Sequence, residues 1–217
     1  MAEQRAFEDR RQAGIALARL LSRYERRPDV VVLALPRGGV PVGHEVARAL
    51  GAPLDVFVVR KLGVPGHREL AMGAIASGGV RVLNDPVIKA CRIAKSAIEE
   101  IAAEEGLELH RREREYRGER PPLDVKGKVV VLVDDGLATG STMKAAVEAA
   151  RMLSPARIVV AVPVGARETC HDLADVADEI VCLHSPASFA AVGQCYINFA
   201  ETSDEEVRTL LGVERTS

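Results

Sequence analysis

Two adjacent acids, Asp134 and Asp135, close the apolar run "VVVLV" and are followed only by small residues until a helical pattern begins, in the stretch "DDGLATGST". Carboxylates side by side repel, so the pair needs a cation, hydrogen-bond donors or solvent to stay ionised. Neighbouring residues of a strand point to opposite faces, which gives the two acids different jobs. Gly140 permits close backbone approach, and Thr139, Ser141 and Thr142 set hydroxyls near the N-terminus of the helix that follows. Exposed N–H groups there, with the helix dipole behind them, make an anion site. Carboxylates beside an anion cradle suit a ligand with a phosphate at one end and hydroxyls or a magnesium ion at the other. A sugar phosphate meets that description.

Two further stretches resemble strand ends, "PRGG" at 36–39 and "RKLG" at 60–63. Alone, each reads equally as glycine chemistry for a tight turn. Other phosphate and nucleotide motifs fail on spacing. A Walker loop needs Lys directly after its last glycine, and here Ser141 follows Gly140; no GxGxxG occurs. A phosphorylated receiver would carry its acid pair near the chain start and would lack a phosphate cradle beside it.

The elements that must position these residues follow from periodicity. "DVVVLALP" at 29–36 is an apolar run stopped by proline, the pattern of a strand buried on both faces of a parallel sheet. "VPVGHEVARALG" reads as a helix closed by Gly51, and "LDVFVVRKLG" as a second buried strand ending near Arg60. "GGVRVLN" predicts a short third strand. Residues 85–117 read as helical, and the second half is a solvated surface laced with charge pairs. A helix at about 141–153, the strand "ARIVVAVPVG", a helix at about 167–174 and the strand "EIVCL" follow. An amphipathic helix is expected within 7–24, and Ser203 before Glu206 suits a capping box on a last helix. Strands alternating with helices predict an α/β fold: an open, mainly parallel sheet flanked by helices. Such sheets bind ligands beyond the carboxyl ends of their strands.

Composition narrows the partners. The 217 residues suffice for one substantial domain, and 47% hydrophobic with 28% charged residues is ordinary for a globular chain. A net charge of −2, 3% aromatics and no Trp give nucleic-acid binding no support. Cys91, Cys170, Cys182 and Cys195 form no CxxC pair, and no apolar run reaches membrane-spanning length. A cytoplasmic protein without a membrane partner is the expectation.

With these residues in view, "VVVLVDDGLATGST" resembles the signature by which type I phosphoribosyltransferases bind phosphoribosyl pyrophosphate (PRPP). "ALPRGG" is similar to that family's pyrophosphate loop, and "VVRKLGVPGHREL" resembles the strand end and mobile loop of its adenine- and orotate-type members. The resemblance runs from about residue 29 to 164. It implies transfer of a 5-phosphoribosyl group from PRPP to a nitrogenous base, with release of pyrophosphate. Asp134 and Asp135 would hold the ribose hydroxyls directly or through magnesium and water, the Mg2+ being held mainly by PRPP. Ala138, Thr139, Gly140, Ser141 and Thr142 would cradle the 5-phosphate, and Gly38 and Gly39 would approach the pyrophosphate. Arg37, Arg60 and Lys61 would be the catalytic cations on the leaving group, and residues 62–70 the lid. Many members of the family form dimers, so a homodimer is compatible with the resemblance.

Two departures stand out. The 6-oxopurine enzymes carry a further Asp where this chain has Ala138, which argues against hypoxanthine–guanine salvage; "LATG" is closer to the adenine members. Gly136 takes a place where the family usually has an apolar residue.

The resemblance further implies one domain over 1–217, with a small hood at 184–217, joined or not by 1–27, and a charged helical insertion at 85–120. Leu183, Phe189, Tyr196 and Phe199 are the base-pocket candidates; equally, these side chains suit a small satellite core. His67 lies on the lid, either against pyrophosphate or incidental there. His44, His110, His171 and His184 lack metal-ligand spacing. Beside the transferase stand two alternatives: a regulator that senses PRPP without turnover, and another sugar-phosphate enzyme such as a hydrolase, which would need a water-activating base.

Overall fold

The computed structural model describes residues 7–213 of the chain. Strands β1 (Val30–Ala34) and β6 (Val129–Val133) lie parallel at its centre, Val30 opposite Val129 through Ala34 opposite Val133. With β2 (Leu54–Val56), β7 (Arg157–Val164) and β8 (Glu179–His184) they form a sheet of order β2-β1-β6-β7-β8, parallel throughout. Alternation sends Val30, Val32, Val129 and Val131 toward α1 (Arg10–Leu20) and α2 (Gly39–Leu50). It sends Val31, Leu33, Val130 and Leu132 toward α5 (Ser141–Met152) and α6 (Arg167–Leu173). Both faces are covered, which is why these strands read as unbroken apolar runs. Each such side chain taken fully out of water contributes about 1.5–3 kcal/mol.

The stretch expected as one strand at 54–63 divides between two sheets. The chain leaves the parallel sheet at the buried Phe57 and Val58, and a second, antiparallel sheet follows, of order β3 (Val59–Val64), β4 (His67–Ala76), β5 (Val80–Leu83). Leu62 and Val64 are buried while Lys61 between them and Arg60 is exposed. That period-2 alternation marks a strand with one covered face. An apolar run alone carries no mark of where one sheet ends and another begins.

The helical stretch at 85–117 is likewise two helices, α3 (Asp85–Ala90), capped by Asn84, and α4 (Lys95–Arg117). Glu108 pairs with Arg111 and Arg112 along α4, as the charge pattern implied. The helix is more than a solvated surface, however. Ile98, Leu109 and Tyr116 form a buried stripe that packs with Leu62, Val64 and Met72 of the antiparallel sheet and with α7 (Asp204–Leu211). The capping box is present, Ser203 Oγ accepting from Glu206 N at 3.1 Å. Gly51 ends α2 with φ +64°, a conformation for which glycine is the default residue. No helix among the described residues is long and apolar enough to cross a membrane.

One ion pair ties α4 to the edge of the parallel sheet. Arg117 Nε donates to Asp55 Oδ2 at 3.0 Å with both side chains buried, and Leu123 N donates to the same oxygen at 3.2 Å. Arg117→Met leaves a buried carboxylate without its cation and should cost about 3–5 kcal/mol in urea unfolding. The double variant Asp55→Asn/Arg117→Met should recover part of that loss. Equal stability of the single variant and the parent would show that the pair is solvated.

Candidate active site

The strand order reverses between β1 and β6. The chain moves outward from β1 to β2, and from β6 it moves the other way through β7 to β8. Such a switch point opens a crevice at the carboxyl ends of the two strands. The "PRGG" turn leaves β1 there and "DDGLATGST" leaves β6 there.

The two loops touch. A Cβ on Gly38 would run into the Asp135 carboxylate, with Cγ at 2.7 Å, and one on Gly39 would meet Val133 O at 2.7 Å and Asp134 Cα at 3.0 Å. Glycine at 38 and 39 is therefore demanded by the approach of one backbone to the acids of the other. The peptide bond between Pro36 and Arg37 is cis.

Both acids are half-buried. Asp134 Oδ1 accepts from the Asp135 N–H at 2.8 Å. Desolvation and then the neighbouring Asp135 charge push the Asp134 carboxyl well above the ordinary carboxylate range. Desolvation raises Asp135 too, and the guanidinium of Arg10 acts against that rise. Arg10 Nε donates to Asp135 Oδ2 at 2.8 Å, so the cation that the acid pair demands comes from α1. Tyr196 Oη donates to the Asp135 carbonyl at 2.7 Å.

Beyond the acids, Leu137 is buried and fixed by backbone bonds to Val164 and Ala166, and the next residues stand out from the sheet. Gly140, with φ +69°, is the N-cap of α5, and the first turn of that helix offers N–H groups with no intrahelical acceptor. Thr139 and Ser141 join their hydroxyls at 2.9 Å. Thr169 of α6 donates to Ala138 O at 2.7 Å and packs where a Gly140 side chain would lie. Thr139, Gly140, Ser141 and Thr142 line a cavity of about 730 Å3, closed on its far side by β4, β5 and Lys61.

The three expected cations have different surroundings. Lys61 lines this cavity, and its Nζ donates to Glu69 O at 3.2 Å across the hairpin. Arg60, one residue earlier on β3, does not line it: its Nε donates to Glu105 of α4 at 2.7 Å, on the other face of the strand. Arg37 is bound by Glu201 and lies 3.7 Å from Asp204. The expected lid at 62–70 is a β-hairpin packed through Leu62 and Val64, with Pro65, Gly66 and His67 exposed at its tip.

The base-pocket candidates fall mainly into a satellite core. Tyr196 is 1% exposed and clusters with Phe7, Ala13, Val164 and Cys195, with Leu183 and Phe189 packed against them. Tyr196 is thereby corrected from a stacking surface to a support for Asp135. Phe199, stacked on Tyr196 at 5.0 Å, keeps part of its surface exposed. The odd glycine at 136 also finds its reason: a Cβ there would meet Val192 Cγ1 at 2.5 Å and Val164 Cγ2 at 2.7 Å. The tail has taken the space of a side chain. Sequence reading missed Arg10, Thr169 and Val192. For Arg10 the only signal was the unmet need of the acid pair for a cation.

Among known proteins, the family model described as phosphoribosyl transferase domain matches residues 3–200. The chain belongs to this family. A Mycobacterium tuberculosis protein provisionally named a phosphoribosyl transferase is 49% identical over 205 residues, covering 94% of this chain and 46% of that protein. The chain thus spans about half the length of the mycobacterial relatives it matches. The bifunctional protein PyrR of Chloroflexus aurantiacus is 34% identical over 136 residues, 58% of this chain and 65% of its own length. The crystal structure of TT1426 from Thermus thermophilus superposes with a TM-score of 0.84 at 47% identity, covering 94% of this chain and 97% of that one. The open parallel sheet with a small antiparallel sheet beside it is the architecture of this member of the phosphoribosyl transferase family.

The close approach of the two loops can be tested directly. If the crevice holds a sugar phosphate, Gly38→Ala should displace the Asp135 carboxylate and weaken calorimetric binding of ribose 5-phosphate about tenfold or more. Gly106→Ala on α4, where a Cβ meets nothing nearer than Ile75 Cδ1 at 4.0 Å, should leave binding unchanged. Equal affinity in both variants would separate the acids from the ligand.

Proposed function

We propose that the chain binds PRPP at this crevice and transfers its phosphoribosyl group to a nitrogenous base, releasing pyrophosphate. One observation carries the reading: the acid pair, the glycine loop and the hydroxyl-lined helix start meet at the switch point of the sheet. In this reading the N–H groups and hydroxyls of residues 138–142 hold the 5-phosphate. Asp134 and Asp135 receive the ribose hydroxyls, and Gly38 and Gly39 let backbone approach the pyrophosphate. The bond from ribose C1 to the pyrophosphate oxygen breaks through an oxocarbenium-like state, and a base nitrogen forms the new bond at C1. The protein supplies no nucleophile. It orients the sugar and stabilises negative charge as it gathers on the leaving group.

Two adjacent carboxylates, with no cluster of three or more His, Cys, Asp or Glu able to hold a metal among the described residues, fit Mg2+ that keeps waters and the oxygens of its phosphate ligand. Bound there, magnesium would neutralise charge on the pyrophosphate. Phe7 and the stretch at 192–200, together with the hairpin tip, would screen the sugar from water. Ala138 brings no carboxylate to the acceptor, so a base that needs a proton handled at that point is disfavoured.

A PRPP-sensing protein without turnover is the second reading. It is favoured by the carboxylates that hold Arg37 and by the pairing of Arg60 with Glu105 of α4, away from the cavity. Pyrophosphate release from PRPP with magnesium, with and without a pooled panel of nucleobases, tests both. Base-dependent release, lost in Asp134→Asn/Asp135→Asn, is the expected result. PRPP binding with no base-dependent release would select the sensor, and no binding would dismiss both.

The cations give a finer expectation. Lys61→Ala and Arg37→Ala should each lower turnover by on the order of 10²–10³, the loss typical of one preorganised charge contact. Arg60→Ala should lower it less than about tenfold, because Arg60 lies on the α4 face of β3, away from the cavity. The reverse ranking in steady-state assays would mean that the hairpin turns its other face to the ligand.

A further inference from the structure

We infer that Arg10 is a positioning residue of the ribose site: it grips the Oδ2 edge of Asp135 and so presents the Oδ1 edge to the sugar hydroxyls. The inference rests on the ribose reading of the acid pair given above. Arg10 is held on three sides. Its Nε donates to Asp135 Oδ2 at 2.8 Å, its Nη1 donates to Ala200 O at 2.7 Å, and its guanidinium carbon stands 3.9 Å over the centre of the Phe199 ring. Phe199 is stacked on Tyr196, and Tyr196 Oη holds the carbonyl of Asp135 itself. The contacts therefore close a circuit from Arg10 through Asp135, Tyr196 and Phe199 back to Arg10.

Such an arrangement differs from an ordinary surface ion pair. The Arg10 and Asp135 side chains are 12% and 15% exposed, and a guanidinium is a planar fork whose bonds to a carboxylate fix direction as well as distance. Gly38 leaves the room for it: a side chain there would meet Asp135 Oδ2 and lie 3.3 Å from Arg10 Nε. The glycine loop, the acid pair and the N-terminal helix thus converge on the Oδ2 oxygen, and Arg10 makes no contact with Oδ1. A contact to ribose hydroxyls made through that oxygen persists from bound substrate to transition state, so its loss acts on binding more than on turnover.

The test is calorimetric titration of the wild type, Arg10→Gln and Arg10→Lys with magnesium and two probes, ribose 5-phosphate and inorganic pyrophosphate. Arg10→Gln should weaken ribose 5-phosphate about tenfold or more and leave pyrophosphate within about twofold, measured below the unfolding transition of the variant. Arg10→Lys should recover part of the loss. Should Arg10→Gln not fold, Phe199→Leu, which removes the platform and keeps the guanidinium, carries the same expectation. Ribose 5-phosphate bound as tightly or more tightly by Arg10→Gln would make Arg10 a bystander or a plug and overturn the inference, with the ribose reading intact. Equal weakening of both probes would assign Arg10 to folding alone and overturn it as well. Failure of the wild type to bind either probe would remove the ribose reading itself.

Discussion

Carrying two neighbouring carboxylates out of bulk water at the end of a buried strand is costly, and much of this molecule is arranged around that cost. The desolvation that raises both acids is offset at Asp135 by a guanidinium from a helix at the far end of the sequence and by a backbone N–H at Asp134. Room for the guanidinium exists only because the facing loop carries glycine, and its orientation is set by a ring and a carbonyl of the tail. Remove the demand of Asp135 for a partner, and the contacts among α1, the tail and the strand ends lose their common centre.

The parallel sheet makes such a centre possible. β1 and β6 are covered on both faces and paired along their whole length, so their carboxyl ends hold a fixed separation. Loops leaving a rigid edge carry function on a stable frame. The antiparallel hairpin is built differently, with one face packed on α4 and the other toward the cavity. That asymmetry divides adjacent basic residues on one strand: Lys61 meets the cavity, and Arg60 serves the packing of the hairpin against its helix.

What was legible in the sequence follows from the range of the forces involved. Strands such as "VVVLV", the Gly51 cap and the Ser203 box are local patterns, and each occurs where its residues put it. The strand, glycine turn and helix start at 129–142 were legible because they are contiguous. Tertiary choices were not. No local signal says that 54–64 changes sheets at Phe57, that Arg60 and Lys61 face apart, or that Tyr196 sinks into a core and supports an acid. Gly136 shows both sides of the matter. The sequence displays the missing side chain, and only the fold displays Val192 in its place.

The circuit around Asp135 also has a temporal meaning. Arg10 and its partner Asp135 are 125 residues apart, and Arg10 and Ala200 are 190 apart. A ribosome adds roughly 5–20 residues per second, so the carbonyl that steadies Arg10 follows it by on the order of 10–40 s. During that interval the sheet strands are made in order while Arg10 lacks the carbonyl and the ring that hold it. The contacts that orient Arg10 are therefore complete only once the tail has been made.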